Sequence, residues 1–552
     1  MELIAFEHDR SFVMDAFRHG EFDFLETVSE AAEADLFRHL LERNVLHRLA
    51  ENFPTPRKKE EVPVWLYLAS EISLKLHGAA GYHAYPRILR SGGLVSALGP
   101  EVGRKTVHPD TGDVSLYCPG FNDKHSSDRQ TPCDQDFLRQ FARDTKVDRL
   151  HGWFNREVPR CLRSLKLWDP EGLFIGDGSY IFVPDNENYE RSDRLLFDEQ
   201  GHPVDSETVD PNDSRYQWRR CYKLVSLIHI NRSLDLFLTV AGRVVGGRSH
   251  ECPILYELVD GFVNAAGRGW MKILILDRGF VDGAQIGRLK AHYHIDTVMP
   301  LKTNMDAYHD VVGLTRLPDF SWGPVPTAVA RFRDQKDRPK PPVIVKREQK
   351  RQQTLAERKG LPLPAPLPQP QTLLGTVRDV SSWSECPVPL TAVVNREIDS
   401  QGEVHDWVLV DTSPFRAGQQ TRAIYALRPA TEERYRQWKC FWDVPRRHSQ
   451  EFSLVVSQVL YVLLAYTLMQ AHLFLRRRKE LNRTTRPRTL DLLGPTAEVI
   501  AVYYRQRFCL LTLPEFAAIL LEVTEPARTK LLEKMRHLQH DLYHLLKNPR
   551  PP

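Results

Sequence analysis

Apolar residues recur at helical spacing over most of the first 150 residues, in "FDFLETVSEAAEADLFRHLLERNVLHRLAENF" and in the more evenly apolar "VPVWLYLASEISLKLHG". This predicts a mainly helical N-terminal region, residues 1–165, with basic loops at 56–61 and 98–115. From about residue 171 the period changes. "GLFIGDGSYIFVP", "RCYKLVSLIHI" and "DLFLTVAGRVV" read as strands bounded by turns. "ECPILYELVDGFVNAA" has the spacing of an amphipathic helix, and "WMKILILDRGF" is a buried strand ending in a turn. "DGAQIGRLKAHYH" reads as a helix and "DTVMPLK" as a further strand. Consecutive strands followed by strand–helix alternation predict an α/β fold, a mixed sheet with a parallel portion, over residues 166–304.

Residues 305–424 interrupt that alternation. "RPKPP" and "GLPLPAPLPQPQ" flank a charged run, "VKREQKRQQTLAERKG", and together read as an extended connector. "LLGTVRDV", "LTAVVNREI" and "DWVLVDTSP" follow as antiparallel strands, with "DSQGEV" as a hairpin turn, so the segment is a β-rich insertion. After residue 425 the pattern reads as helical to the end, divided near 480 into a part that returns to the α/β domain and a helical C-terminal region, 481–552.

Within the last stretch, Phe452–Leu475 carries no Lys, Arg, Asp or Glu, and "RRRK" follows it. By length it could span a bilayer. Ser453, Ser457, Gln458, Gln470 and His472 recur along it, however, and no second such segment exists. A wholly apolar helix is also what the centre of a large domain requires, and this soluble reading is preferred to a membrane anchor.

Composition changes the picture little. The chain has 552 residues, 42% of them hydrophobic, which is ample for a large core, and its 75 basic against 71 acidic residues leave a net charge of only +4. That balance neither demands nor excludes a nucleic-acid partner. Eight cysteines stand singly without a C-x-x-C pair, and the N-terminus lacks the pattern of a secretory signal, so reduced intracellular thiols are expected.

Three carboxylates raise the question of chemistry. Asp177 interrupts an apolar strand between Gly176 and Gly178, where an unpaired charge is costly and the bare backbone admits a close neighbour. Asp277 ends the apolar run "KILIL", at the strand edge where open α/β sheets bind ligands. A surface turn for the first and a capping aspartate for the second are the alternatives. The third lies in "YALRPATEERYRQWK", Tyr425–Lys439. At about 100° per residue, Glu432, Arg436 and Lys439 share one helix face, while Glu433 falls off it and Arg434 points nearly opposite. Pro429 suits a helix start, leaving Tyr425 and Arg428 just ahead of it. Two aspartates and a glutamate on two strands and a helix are what two-metal phosphoryl transfer uses, with hard oxygen ligands around two Mg²⁺ or Mn²⁺ ions and cations on the phosphates.

Tyr425, Arg428, Glu432 and Lys439 match in type and spacing the Y-x2-R-x3-E-x6-K signature of a family of DDE transposases encoded by bacterial insertion sequences, which the chain thus resembles over roughly residues 170–475. Proline after Arg428 departs from the tryptophan frequent there. The resemblance implies Asp177, Asp277 and Glu432 as the catalytic, metal-holding residues. It also implies a ribonuclease-H-like fold with a β-rich insertion before the glutamate, and Tyr425, Arg428 and Lys439 on the DNA near the break. Arg436 and Lys302 are further candidates for phosphate contact. The expected partner is double-stranded DNA, the element's inverted ends and its target. The N-terminal region would read those ends, a homodimer would join two of them, and the protein would be cytoplasmic and nucleoid-associated. An inactive DNA-end-binding copy is the alternative, against which the intact triad counts.

Weaker signals remain. His540 and His544 have the spacing of a zinc pair but lack the accompanying glutamate, and read as a solvated face. "RRRK" with Arg483, Arg486 and Arg488 is either a DNA-backbone contact or plain surface charge, and Trp322 either stacks on a base or packs.

Overall fold

The structure, a computed structural model, describes residues 3–6, 10–29, 33–58, 62–79, 81–85, 101–107, 114–117, 135–325, 371–399, 402–442, 444, 449–483, 498–505 and 507–547, with isolated positions between 347 and 358. At its centre lies strand Leu173–Val183 (β1), whose "LFI" run is buried. Strand Gln217–Asn231 (β2) pairs with it antiparallel, from Leu173↔Ile230 to Val183↔Arg220. Strand Leu236–Gly246 (β3) pairs antiparallel with β2 on the far side. Helix Glu251–Ala266 (α1) then carries the chain back across. Strand Ile273–Ile275 (β4) enters parallel to β1, and strand Asp296–Pro300 (β5) parallel to β4. The order β3-β2-β1-β4-β5, antiparallel on one side of β1 and parallel on the other, is the mixed sheet that the strand-then-alternation pattern predicts.

The three strands expected between the prolines and Tyr425 are present as Gln371–Val380 (β6), Leu390–Ile398 (β7) and Val404–Asp411 (β8). They continue the same sheet: β8 pairs antiparallel with β5 from Val298↔Asp411 to Pro300↔Leu409. Helices Gly418–Tyr425 (α2), Pro429–Arg436 (α3) and Phe452–Leu475 (α4) follow.

Helix α4 is almost wholly buried, packed on β3 and on the N-terminal helices Val64–Leu76, Gln135–Asp144 and Val147–Ser164. Its polar residues have work to do there. Strand β3 is an edge, and an edge leaves N–H groups unpaired. Gln470 accepts from Phe237 N at 3.3 Å and donates to Phe237 O at 2.7 Å, while Thr467 Oγ accepts from Thr239 N at 3.3 Å. Asn155 accepts from Gly242 N at 2.8 Å, and His151 Nε2 from Val244 N at 3.1 Å. Side chains thus complete the ladder and close the edge, and Gln470, one of the polar residues that argued against a bilayer, is spent on the sheet.

The terminal regions differ from the helical expectation. Leu3–Phe6, Glu101–Val107 and Val114–Tyr117 form a small antiparallel sheet. Phe24–Ser29, expected within a helix, is a strand paired with Glu498–Tyr504, which in turn pairs with Arg507–Thr512. The run "EVIAVYY" is rich in β-branched and aromatic residues, which favour a pleated, half-buried surface over a helix. This sheet, with helix Arg10–Arg18 and the two C-terminal helices Leu513–Glu522 and Glu525–Lys547, buries a second core of Val13, Phe17, Phe22, Ile500, Val502 and Leu511. The side chains of His540 and His544, and most of residues 326–370, lie outside the described residues.

Candidate active site

Strand register brings the two aspartates together. Ile175 on β1 lies opposite Ile275 on the parallel β4, so Asp177, inside β1, and Asp277, just past the end of β4, each two residues further on, emerge side by side. Asp177 is buried; its Oδ1 accepts from Gly178 N at 2.9 Å. Asp277 caps the short turn Arg278–Phe280, accepting from Arg278 N at 2.8 Å. Glu432, on α3, is largely exposed.

One side chain touches all three. Arg428 Nη2 lies 3.0 Å from Asp277 Oδ2 and 3.6 Å from Asp177 Oδ2, and its Nη1 donates to Glu432 Oε1 at 2.7 Å. Pro429 makes this possible: it occupies the first turn of α3, where its missing N–H costs nothing, and fixes Arg428 immediately before the helix. Tyr425, the last residue of α2, lines the same cleft with its ring 6.1 Å from that of Trp407.

The charge-rich segment is sorted by face, but less simply than helical spacing alone implies. Arg434 turns inward, donating to Tyr466 of α4 at 2.7 Å with its guanidinium 4.8 Å from the Phe237 ring. Tyr435 donates to the backbone carbonyl of Asp177 at 2.8 Å. Arg436 lines the cleft but is forked onto Glu433, at 2.7 and 2.8 Å. A π-helical turn, Gln437–Phe441, then shifts the phase, and Lys439 reaches β1, donating to Ser179 Oγ at 2.6 Å. Lys302 is exposed beside the cleft, which its neighbours Leu301 and Thr303 line and it does not. Trp322 lies under the Arg396 guanidinium, 4.2 Å from its ring centre, away from these residues. Of the basic segment, Arg476 pairs with Asp35 at 2.5 Å and Arg478 with Glu480 at 2.8 Å.

The cleft has a volume of about 910 Å³. Its electrostatics oppose burial to charge. Burial raises the Asp177 carboxyl to about 7, against the pull of Arg428 and with the repulsion of Asp277. Burial likewise lowers Lys439 to about 8, against the pull of Asp177. Burial thus weighs against the charged form of Asp177 more than a single guanidinium offsets. The donor set fits divalent cations: three hard carboxylates from three elements already surround a cationic group. The carboxylates Asp399 and Glu403 cluster on the β7–β8 hairpin with His405, which itself lines the cleft.

Sequence reasoning passed over Glu251, Ser179 and Tyr435, all of which line the cleft. Glu251 carried only a weak signal, as an acidic residue at the start of an amphipathic helix; Tyr435 carried none beyond lying three residues after Glu432. The glycines around Asp177 make room for the protein itself: a Cβ on Gly176 would lie 2.7 Å from Leu255, and one on Gly178 2.2 Å from Glu251.

A family model described as "Transposase DDE domain" matches residues 190–468, a span that holds Asp277, Glu432 and Lys439 and begins beyond Asp177. No curated protein matches the sequence.

Proposed function

The chain belongs to the DDE-domain transposases, and from that premise we propose that it cuts and joins the ends of an insertion sequence by phosphoryl transfer at Asp177, Asp277 and Glu432. The observation that carries the reading is the convergence of those three carboxylates, from β1, β4 and α3, on the single guanidinium of Arg428. The β3-β2-β1-β4-β5 sheet supports a ribonuclease-H-like core spanning 166–304 and 425–480, with 305–424 inserted into it.

The three carboxylates would hold two Mg²⁺ or Mn²⁺ ions, which when bound supply the charge that activates a water or a 3′-hydroxyl and stabilises the departing oxygen. The chain's other residues act on the DNA. Arg428, released from the carboxylates, offers a planar fork to a phosphate next to the break. Lys439, fixed to Ser179 on the strand that carries Asp177, brings a largely desolvated ammonium to the same phosphate. Tyr425 positions the terminal nucleotide from the opposite wall. Arg436 and Lys302 are the outlying cations of this path, available to DNA that extends beyond the cleft. The N-terminal region, 1–165, is proposed to bind the inverted ends, and two copies to join two ends, in the cytoplasm at the nucleoid.

Labelled linear DNA carrying the element's own ends tests this, with Mg²⁺ or Mn²⁺, for wild type and Glu432→Ala. Metal-dependent nicking at the element boundary, lost in the variant, is expected. Binding without cleavage by either protein would instead mark an inactive end-binding copy.

A further inference from the structure

Glu251 is the first residue of α1, and its carboxylate lines the cleft with Asp177, Asp277 and Glu432. Two glycines make space for it. A Cβ on Gly178 would lie 2.2 Å from Glu251 Oε2, and one on Gly279 3.2 Å from Oε1. Gly178 directly follows Asp177 within β1, and Gly279 lies in the turn two residues after Asp277, so the backbone next to each aspartate is bare where it faces Glu251. Its basic neighbour is Lys223, whose Nζ pairs with Oε2 at 3.6 Å and also donates to Ser249 O at 3.0 Å.

We propose that Glu251 is a fourth carboxylate ligand of the metal centre, closing it on the α1 side next to Asp177; this rests on the metal-dependent reading above. Charge supports it. Three carboxylates leave two divalent cations with one positive charge in excess in a partly buried cleft, and a fourth balances them. Geometry supports it as well, because helix α1 starts directly after β3 and is packed on the sheet, so the carboxylate is held by a rigid element.

The test is Mn²⁺ titration of the full-length, DNA-free protein, read by calorimetry and by the spin-resonance signal of free Mn²⁺, on wild type, Glu251→Gln, Glu251→Asp, Asp277→Asn and Glu432→Gln. Glu251→Gln is expected to lose one bound ion or to weaken Mn²⁺ at least about tenfold, with partial recovery in Glu251→Asp. Wild-type Mn²⁺ binding in Glu251→Gln, alongside loss in Asp277→Asn, would overturn the proposal and leave Glu251 as a partner of Lys223 only, with the metal-centre reading intact. Wild-type binding in all four variants would sink both. Should Glu251→Gln fail to fold, Fe²⁺-promoted hydroxyl-radical cleavage of the wild-type chain decides: cuts next to residue 251 as well as 177 and 277 are expected, and their absence at 251 overturns the proposal.

Discussion

The hydroxyl of Tyr435 donates to the backbone carbonyl of Asp177 at 2.8 Å and lies 2.9 Å from Ser226 Oγ. Tyr435 shares helix α3 with Glu432, so this contact sets the distance between the first and third carboxylates. Tyr435→Phe should keep the fold, lose about 1 kcal/mol of stability for each hydrogen bond removed, and slow DNA cleavage about tenfold through misplacement of Glu432. Cleavage kinetics alongside thermal melts check it; an unchanged rate would mean that the helix is held by its packing alone.

Arg428 lies among the three carboxylates, the place proposed for the metal ions. Arg428→Gln should therefore bind Mn²⁺ more tightly than wild type without DNA, by roughly tenfold, because a competing charge a few ångströms from each carboxylate is gone. The same variant should bind element-end DNA more weakly. Parallel metal and DNA titrations separate the two effects, and weaker Mn²⁺ binding in the variant would contradict the first.

Much of this was legible beforehand, for physical reasons that differ by residue. Asp177 stood out because a charge inside an apolar strand has few reasons to exist, Asp277 because it ends one at the edge where open sheets bind ligands, and the strands were plain from their composition. Arg428 was visible as a cation near the glutamate, but its position between carboxylates depends on a parallel register that no local pattern encodes. The π turn that carries Lys439 to Ser179 defeats any argument from a uniform helical angle. Phe24–Ser29 could not be read as a strand because its partner is at the other end of the chain. Glu251 was missed because an acidic residue in the first turn of a helix is ordinary there.

Gly178→Ala makes a sharper structural prediction. The added methyl would meet the Glu251 carboxylate, the free end of a side chain that must turn off its rotamer to make room, so stability should fall by about 0.5–1.5 kcal/mol. Adding Glu251→Ala should restore most of that loss. Denaturant melts of the two single variants and the double variant form the cycle; additive effects would show that the two residues do not meet.

Buried histidines predict the acid response. His229 accepts from Asp169 N at 3.0 Å through Nε2 and so presents Nδ1–H to Leu173 O at 3.1 Å, leaving no lone pair for a proton. Burial lowers it to about 4, and His151 and His472 likewise to about 4. The unfolded chain takes up these protons below about 6.5 while the folded chain does not. The histidines' share of stability is thus full above about 6.5, falls as pH drops, and levels near 4, at up to about 1.4 kcal/mol per pH unit for each. Asp177, raised by burial to about 7, takes up its proton in the folded chain first and offsets one of them across the same window. Urea melts between pH 7 and 4 check the slope, and His229→Gln should flatten it.

Strand Phe24–Ser29 finds its partner only in Glu498–Tyr504. A ribosome adding about 5–20 residues per second needs on the order of half a minute to a minute and a half to cross the intervening chain. Through that interval the apolar face of Val13, Phe17 and Phe22 has nothing of its own core to meet. A chain stopped short of residue 498 keeps strand 24–29 open, an unpaired edge that is closed only when 498–504 arrives.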